Sequence, residues 1–160
     1  LPAPEQRVWH SPWGAIGLCV CYDLSYTRVL DGLVRLGAQA IVAPTMDVEE
    51  WGKRQHHLHS RVGPIRAMEY GIPIFRLCSS GISQSIDARG KVHESASFPG
   101  QEEILSGDIR IGDSGTLPWD LWAAPAAGVI TGCLLLYALA VSLHAKTWVN
   151  SGRRGRAECQ

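Results

Sequence analysis

Alternating apolar and polar positions divide the first part of the chain into short strands and one amphipathic helix. Residues 8–20 predict two strands around a turn at 10–14, and residues 26–36 carry apolar side chains at helical spacing. A continuous apolar run over 38–44 follows, which is typical of a strand covered on both faces. The order strand, helix, strand predicts a βαβ unit with a parallel strand pair.

The pattern continues with a polar loop over 45–52 and a second helix over 53–70, which Pro64 should kink or split. The apolar side of this helix is expected to hold Leu58, Val62, Ile65 and Met68. Further strands are predicted over 74–78, 82–87, 91–95 and 103–111, the second and third forming a hairpin.

A different pattern begins after a linker over residues 112–122. Residues 123–145 contain no Asp, Glu, Lys or Arg, and as a helix they would reach about 34 Å, enough to cross a hydrocarbon core of about 30 Å. Trp119 and Trp122 precede this run and Trp148 follows it, as interfacial aromatic residues would. A buried core helix is the alternative, and the length favours a membrane span.

Charge adds an orientation to the predicted span. The whole chain has 15 basic and 15 acidic residues, but the tail over 146–160 carries an excess of positive side chains, namely Lys146, Arg153, Arg154 and Arg156. Because positive residues favour the cytoplasmic side, this tail is expected in the cytoplasm and the first domain on the extracytoplasmic side. No basic stripe with interleaved aromatic residues is present, so nucleic-acid binding is not expected.

Cysteine usage bounds the chemistry. The five cysteines are odd in number and irregularly spaced, which fits neither a disulfide framework nor a zinc site, and no cofactor or metal is expected. His56 and His59 would share a helix face without a third ligand, so a solvated helix face is the better interpretation. The pair Cys19 and Cys21 lacks the two-residue spacer of a redox motif. The chain begins at Leu1 rather than Met, and we expect it to be a fragment.

Cys21 is the candidate nucleophile. It lies where the strand character of residues 16–20 stops, and a helical pattern begins near Ser25. A thiol on such a turn is exposed and faces a helix N-terminus, which favours the thiolate. From position alone, a buried core cysteine is an equally good interpretation.

Several segments together resemble the nitrilase (carbon–nitrogen hydrolase) superfamily. The run Gly17–Asp23 resembles the superfamily's nucleophile segment, and Arg66–Pro73 resembles its helix of the form R-A-x-E-x-x-x-P. Ser80 with Gly81 and the hairpin Asp87–Lys91 follow in the family's order. The resemblance implies an α/β fold: residues 1–111 as the C-terminal half of a nitrilase-type α-β-β-α sandwich, followed by one C-terminal transmembrane helix.

The terminal span makes the chain most similar to the apolipoprotein N-acyltransferase family, within that superfamily. This resemblance implies an enzyme of the bacterial inner membrane, with a phospholipid acyl donor and a diacylglyceryl-lipoprotein acceptor. It also implies a Cys-Glu-Lys mechanism with Cys21 as nucleophile. The family's catalytic Glu and Lys have no matching positions here, since both belong to the first half of the domain, so this chain alone is expected to be inactive.

Further residues enter through the resemblance. Tyr22, Asp23 and Glu69 are candidates for supporting roles, although Asp23 could equally cap the next helix and Glu69 could form a structural ion pair with Arg66. Asp47, Trp51 and Gly52 resemble the family's substrate loop, although Trp51 could instead pack on its own domain. Two other functions stay open: a membrane-anchored amide or nitrile hydrolase, and a non-catalytic remnant of such a domain.

Overall fold

The computed structural model describes residues 5–96, 98 and 103–157, the last thirteen of these as backbone only. The basic side chains of the predicted cytoplasmic tail therefore lie outside the described part of the chain. The chain forms two compact units, Leu1–Pro118 and Trp119–Gln160.

The first unit is built on one six-stranded mixed sheet in which spatial order follows chain order. Its strands are β1 (Val8–Ser11), β2 (Gly14–Leu18), β3 (Ala40–Thr45), β4 (Ile74–Cys78), β5 (Gln84–Ile86) and β6 (Val92–Ser95). The central strands β2, β3 and β4 run parallel, while β1, β5 and β6 pair antiparallel with their neighbours. The parallel pairs bring the carboxyl ends of β2, β3 and β4 to the same edge of the sheet.

Three helices belong to this unit: α1 (Thr27–Arg35), α2 (Gly52–Ser60) and α3 (Val62–Tyr70). The predicted split of the second helix is confirmed, and the break falls at Arg61, which places Pro64 in the first turn of α3, where proline is tolerated. Gly71 ends α3 in the left-handed conformation, with φ of 66°. The predicted βαβ unit is confirmed by the parallel pairing of β2 with β3.

The core lies between the helices and the sheet. Leu30 and Leu33 of α1 and Tyr70 of α3 are at most 1% exposed, as are Ile41 of β3 and Ile74 of β4. Burial of this apolar surface, worth about 25 cal/mol per Å², is what fixes the helices onto the sheet.

The predicted apolar face of α2 and α3 is wrong except at Val62, which packs against the core. Leu58, Ile65 and Met68 are 47%, 54% and 64% exposed. The buried face instead carries small and polar residues, namely His56, His59, Ser60, Gly63, Ala67 and Tyr70. A Cβ at Gly63 would lie 2.6 Å from the Ile86 side chain, so the helix approaches the sheet too closely for large apolar residues there.

The strand predicted over 103–111 is also wrong, because no strand is present among these described residues. Ile104 is 99% exposed, and Gly107 lies against the Ser85 side chain without joining the sheet. Within the predicted linker, the Gly115 and Thr116 amides donate hydrogen bonds to the carbonyls of Ala38 and Tyr70, both of 2.9–3.0 Å.

The second unit is one helix, α4 (Asp120–Ala157), of 38 residues. Its segment Asp120–His144 is 25 residues long and apolar enough to cross a membrane, and none of its apolar window is buried. The alternative of a buried core helix therefore does not describe it. The helix begins three residues before the predicted start at 123 because Trp119 accepts the first backbone bonds, from Trp122 and Ala123.

Candidate functional site

Cys21 opens a 3₁₀ turn over Cys21–Ser25, which we call the Cys21 turn. Strand β2 ends at Leu18, and Cys21 has φ of 53°, which makes it the one non-glycine residue at positive φ in the part of the chain that the structure describes. This left-handed conformation costs an L-residue about 1–2 kcal/mol. The prediction that Cys21 lies where the strand stops is confirmed, and the strained backbone turns its side chain out of the sheet's ladder.

The turn is closed by its own acid. The Val20 amide donates to Asp23 Oδ2 over 3.1 Å, and the Asp23 amide donates to the Val20 carbonyl over 3.0 Å. The N-cap of α1 is Tyr26, without a side-chain bond. Asp23 therefore caps the Cys21 turn and not α1, so its interpretation as a cap of the next helix is wrong, and a supporting role near the thiol stays a prediction.

Arg66 of α3 holds the other end of the turn. Its Nε donates to the Leu24 carbonyl over 3.2 Å and its Nη2 to the Ser25 carbonyl over 2.7 Å, while its Nη1 forms an ion pair with Glu69. The carboxylate of Glu69 thus keeps the guanidinium oriented toward the turn. The structural ion pair expected between these two residues is present, and it supports the backbone that carries Cys21.

On its open side, the Cys21 thiol contacts the loop that follows β3. Its Sγ donates to the Met46 carbonyl over 3.7 Å. The next residue, Asp47, is 0% exposed, although it was predicted in a substrate loop. A buried carboxylate needs partners, and it finds them on α2 and β4.

Asp47 is the centre of a buried polar cluster. Its Oδ1 lies 2.7 Å from His59 Nδ1, and its Oδ2 accepts from Arg76 Nη2 over 2.8 Å. Burial by itself would raise the pKa of Asp47, but the hydrogen bonds and charges of Arg76 and His59 outweigh it and lower the pKa below its ordinary value. We call Asp47, His59 and Arg76 the Asp47 cluster.

The solvated helix face predicted for these histidines is therefore wrong for His56 and His59. His56 and His59 are 0% and 6% exposed rather than solvated, and only His57 is exposed. Because a carboxylate only accepts, the 2.7 Å contact places a proton on His59 Nδ1. His56 Nδ1 lies 3.7 Å from Asp47 Oδ2, and neither of its ring nitrogens has a hydrogen-bond partner among the described residues.

Aromatic rings connect this cluster to the Cys21 turn. The Tyr22 ring stacks on His59, with centroids 4.9 Å apart and planes inclined by 25°. Tyr22 and Trp51 form an edge-to-face pair, with ring centroids 6.3 Å apart. Trp51 is 37% exposed, so it both packs on its own domain and presents a face to solvent. Gly52 follows with φ of 77° and starts α2.

Two neighbouring cysteines, Cys19 and Cys78, have raised pKa values, which lowers the reactivity of their thiols. Burial, followed by the charge of Asp23, raises the pKa of Cys19 to about 12, and burial is the largest factor raising the pKa of Cys78 to about 12. Cys78 Sγ lies 4.0 Å from Asp47 Oδ2. In the described residues, no group of three or more His, Cys, Asp or Glu side chains could hold a metal ion.

Sequence reasoning missed Arg76 and misplaced His59. A signal was available for Arg76, because a charged residue in the middle of the buried strand 74–78 requires a buried acid. Asp47, at the end of the adjacent parallel strand, was the nearest candidate along the sheet edge. His59 carried no comparable signal, since histidine is common on solvated helices.

The parallel βαβ unit, with Cys21 in a turn at the carboxyl edge of its sheet, defines an α/β protein. The family model for carbon–nitrogen hydrolases matches residues 1–141, so the chain belongs to the carbon–nitrogen hydrolase family, whose members are enzymes. The match extends beyond the resemblance noted over the first domain and into α4.

Comparison with curated relatives indicates which proteins of the family the chain is similar to. The chain is similar to apolipoprotein N-acyltransferases from Geobacter metallireducens (29% identity over 100 residues, 62% of this chain) and Brucella melitensis (28% over 126 residues, 78% of this chain). That from Allorhizobium ampelinum is 38% identical over 77 residues, 46% of this chain. The matched regions cover 19%, 22% and 14% of these relatives, so the chain spans about a fifth of their length or less.

Solved structures confirm the fold. A branch 10 member of the nitrilase superfamily from Saccharomyces cerevisiae superposes with a TM-score of 0.55 at 21% identity, over 64% of this chain and 40% of that one. An amidase from Nesterenkonia sp. superposes with a TM-score of 0.51 at 19% identity, over 59% of this chain and 38% of that one. The predicted nitrilase-type α/β fold is thereby confirmed for the first unit.

Proposed function

We propose that this chain is part of a membrane-bound N-acyltransferase that moves an acyl chain from a phospholipid to the N-terminal amine of a lipoprotein. The observation that carries the proposal is the similarity to apolipoprotein N-acyltransferases, which reaches 78% of the chain. An apolar helix of 25 residues in the same chain supports it, since a lipid substrate requires access to a membrane.

The proposed reaction has two steps at Cys21. In the first, the Cys21 thiol gives up its proton and the thiolate attacks the ester carbonyl of the phospholipid; a thioester forms, and the ester C–O bond breaks to release the lysophospholipid alcohol, which takes up the proton that the thiol lost. In the second, the amine of the acceptor attacks the thioester, an amide forms, the C–S bond breaks, and the amine's proton returns to the thiol. Acyl group and protons balance over the two steps.

The surroundings of the Cys21 turn suit an acyl chain. Val20 and Met46, on either side of the thiol, are 62% and 70% exposed, and Tyr22 is 46% exposed. Trp51 extends this apolar rim beyond Tyr22. Exposed apolar side chains grouped in this way mark a binding surface for an apolar partner.

In the proposed arrangement, residues 123–145 cross the membrane, the linker 112–122 precedes the span, and the first domain lies on the extracytoplasmic side. The apolar helical segment Asp120–His144, of 25 residues, would reach about 38 Å, more than the hydrocarbon thickness of about 30 Å. This arrangement would place Cys21 on the side of the bilayer where lipoprotein precursors are exposed.

The test is transfer of a labelled acyl chain from phospholipid to a synthetic diacylglyceryl peptide. Membranes that contain the protein from its complete gene should form the amide, and Cys21→Ala should abolish transfer while Cys78→Ala retains it. Normal transfer by Cys21→Ala would contradict the nucleophile assignment. Ammonia release from small amides without lipid would favour a hydrolase instead. Absence of any acyl adduct on Cys21 by intact mass would favour a non-catalytic remnant.

A further inference from the structure

The buried Asp47 cluster touches the Cys21 turn at two points. Through the backbone, Asp47 fixes the preceding residue Met46, whose carbonyl faces Cys21 Sγ at 3.7 Å. Through His59, it holds the ring on which Tyr22, the residue after Cys21, is stacked at 4.9 Å. One carboxylate therefore controls the neighbours of the thiol on both sides.

Asp47 is itself held from four directions. Arg76 and His59 bind its two carboxylate oxygens, and Ser80 donates its hydroxyl to the Asp47 carbonyl. Gly81 lies so close that a Cβ there would be 2.2 Å from Asp47 Oδ2. Arg76 is anchored in turn, because its Nη1 donates to the Ile82 carbonyl. A side chain with this many fixed contacts has one available position.

We propose that Asp47 is a positioning residue for Cys21, which fixes the Met46 carbonyl against the thiol and the His59 ring against Tyr22. The role rests on the proposed function, because it concerns the thiol that would carry the acyl group. Asp47 touches no substrate in this role. It acts by holding the thiol in one orientation until the thiol is deprotonated.

The cluster also balances charge beside the thiol. Asp47 and Arg76 neutralise each other, and the other titratable and charged groups around the turn come from four elements: Asp23 on the turn itself, His56 and His59 on α2, Arg66 and Glu69 on α3, and Cys78 on β4. Of these, Arg66 and Glu69 also form a neutral pair. Removing one member of the Asp47 and Arg76 pair would leave a single buried charge near the thiol.

This charge balance predicts that substitutions of Asp47 and Arg76 shift the pH midpoint of Cys21 alkylation in opposite directions. Asp47→Asn leaves the Arg76 cation unopposed, which favours the thiolate, so the pH midpoint of Cys21 alkylation by iodoacetamide should fall by roughly one unit. Arg76→Gln leaves the Asp47 anion unopposed, so the midpoint should rise by a similar amount. Asp31→Asn is the matched control, because Asp31 accepts a 2.7 Å bond from Tyr70 between α1 and α3, away from the turn.

Alkylation is followed by mass spectrometry of the Cys21 peptide in the protein from its complete gene. The positioning role also predicts that Asp47→Asn lowers kcat for acyl transfer at least tenfold and changes KM less than twofold. Midpoints that stay at the wild-type value in both variants, or that shift in the same direction, would overturn the proposal. A structural role alone would lower the yield of folded protein and leave the midpoint of the folded fraction unchanged.

The two hypotheses fail separately in this design. If the wild-type protein transfers no acyl chain but the two midpoints shift in opposite directions, the positioning role stands and the proposed function fails. If transfer occurs and neither midpoint moves, the proposed function stands and the positioning role fails. Where Asp47→Asn does not accumulate, Arg76→Gln decides by itself, since an upward shift supports the role and an unchanged midpoint contradicts it.

Discussion

Cys19 and Cys21 are two residues apart and differ in almost every physical respect. Cys19 is 2% exposed, its amide still bonds to the Val42 carbonyl of β3, and its pKa is raised to about 12. Cys21 lies beyond the end of β2, has φ of 53° and donates its thiol to the Met46 carbonyl. The difference shows that the backbone path, and not the residue type, separates a core thiol from a candidate nucleophile.

The largest expected effect is on thiol reactivity. A pKa of about 12 leaves about one in ten thousand Cys19 side chains as thiolate at pH 8, and burial hinders the reagent further. Native alkylation should therefore modify Cys21 much faster than Cys19, as measured by peptide mass spectrometry. In denaturant both cysteines should react alike. Equal native rates would remove the distinction between the two positions.

Loss of Arg66 should be the largest effect on the stability of the Cys21 turn. Arg66→Met leaves the Leu24 and Ser25 carbonyls without their side-chain donor, which should lower the free energy of unfolding by about 2 kcal/mol. Glu69→Gln retains a hydrogen-bond acceptor for Arg66, so its effect should be smaller. Denaturant unfolding of both variants measures this order, and a greater loss in Glu69→Gln would contradict it.

Backbone strain at Cys21 can be measured by comparing two substitutions that both remove the thiol. Cys21→Gly relieves the left-handed conformation and Cys21→Ala does not, so the glycine variant should be more stable by about 1 kcal/mol. At Cys19, which is not at positive φ, the same pair should favour alanine. Thermal unfolding of the four variants gives both differences. An alanine variant as stable as glycine at position 21 would show that the turn is not strained.

The smallest expected effect is on acid stability. Because the pKa of Asp47 is lowered in the folded state, its contribution to stability is present above the ordinary carboxyl pKa of about 3.9 and is lost as pH falls toward the lowered value. Unfolding midpoints between pH 5 and 2 should fall more steeply for the wild-type protein than for Asp47→Asn. Parallel curves for the wild-type protein and Asp47→Asn would show that Asp47 does not carry this pH dependence.

Elements with a strong local signal were predictable from the sequence. The parallel βαβ unit, the split of the helix near Pro64 and strand 74–78 follow from apolar runs and proline chemistry, and all three are present. Residues 103–111 carry strand-like alternation, but in the described structure most of their side chains are exposed and the segment joins no sheet. Whether a segment joins a sheet depends on its tertiary position, and the pattern of apolar residues does not carry that information.

The residues of the candidate site also differ in how well the sequence predicts them. The position of Cys21 followed from the end of one apolar run, whereas the Asp47 cluster joins residues 12 to 29 positions apart through contacts of buried polar atoms. Histidines on a polar helix give no local sign that they face a carboxylate. The catalytic role of Cys21 stays a prediction.

The close approach of Gly81 to Asp47 has a consequence for motion. With no room for a side chain between them, and with the Ser79 amide bonded to the Thr45 carbonyl, the segment after β4 cannot move away from the segment after β3 without breaking both contacts. The two loops should therefore open as one unit. In hydrogen exchange, the protection of the Ser79 amide would then report how often these two loops, including the one that contacts the Cys21 thiol, open together.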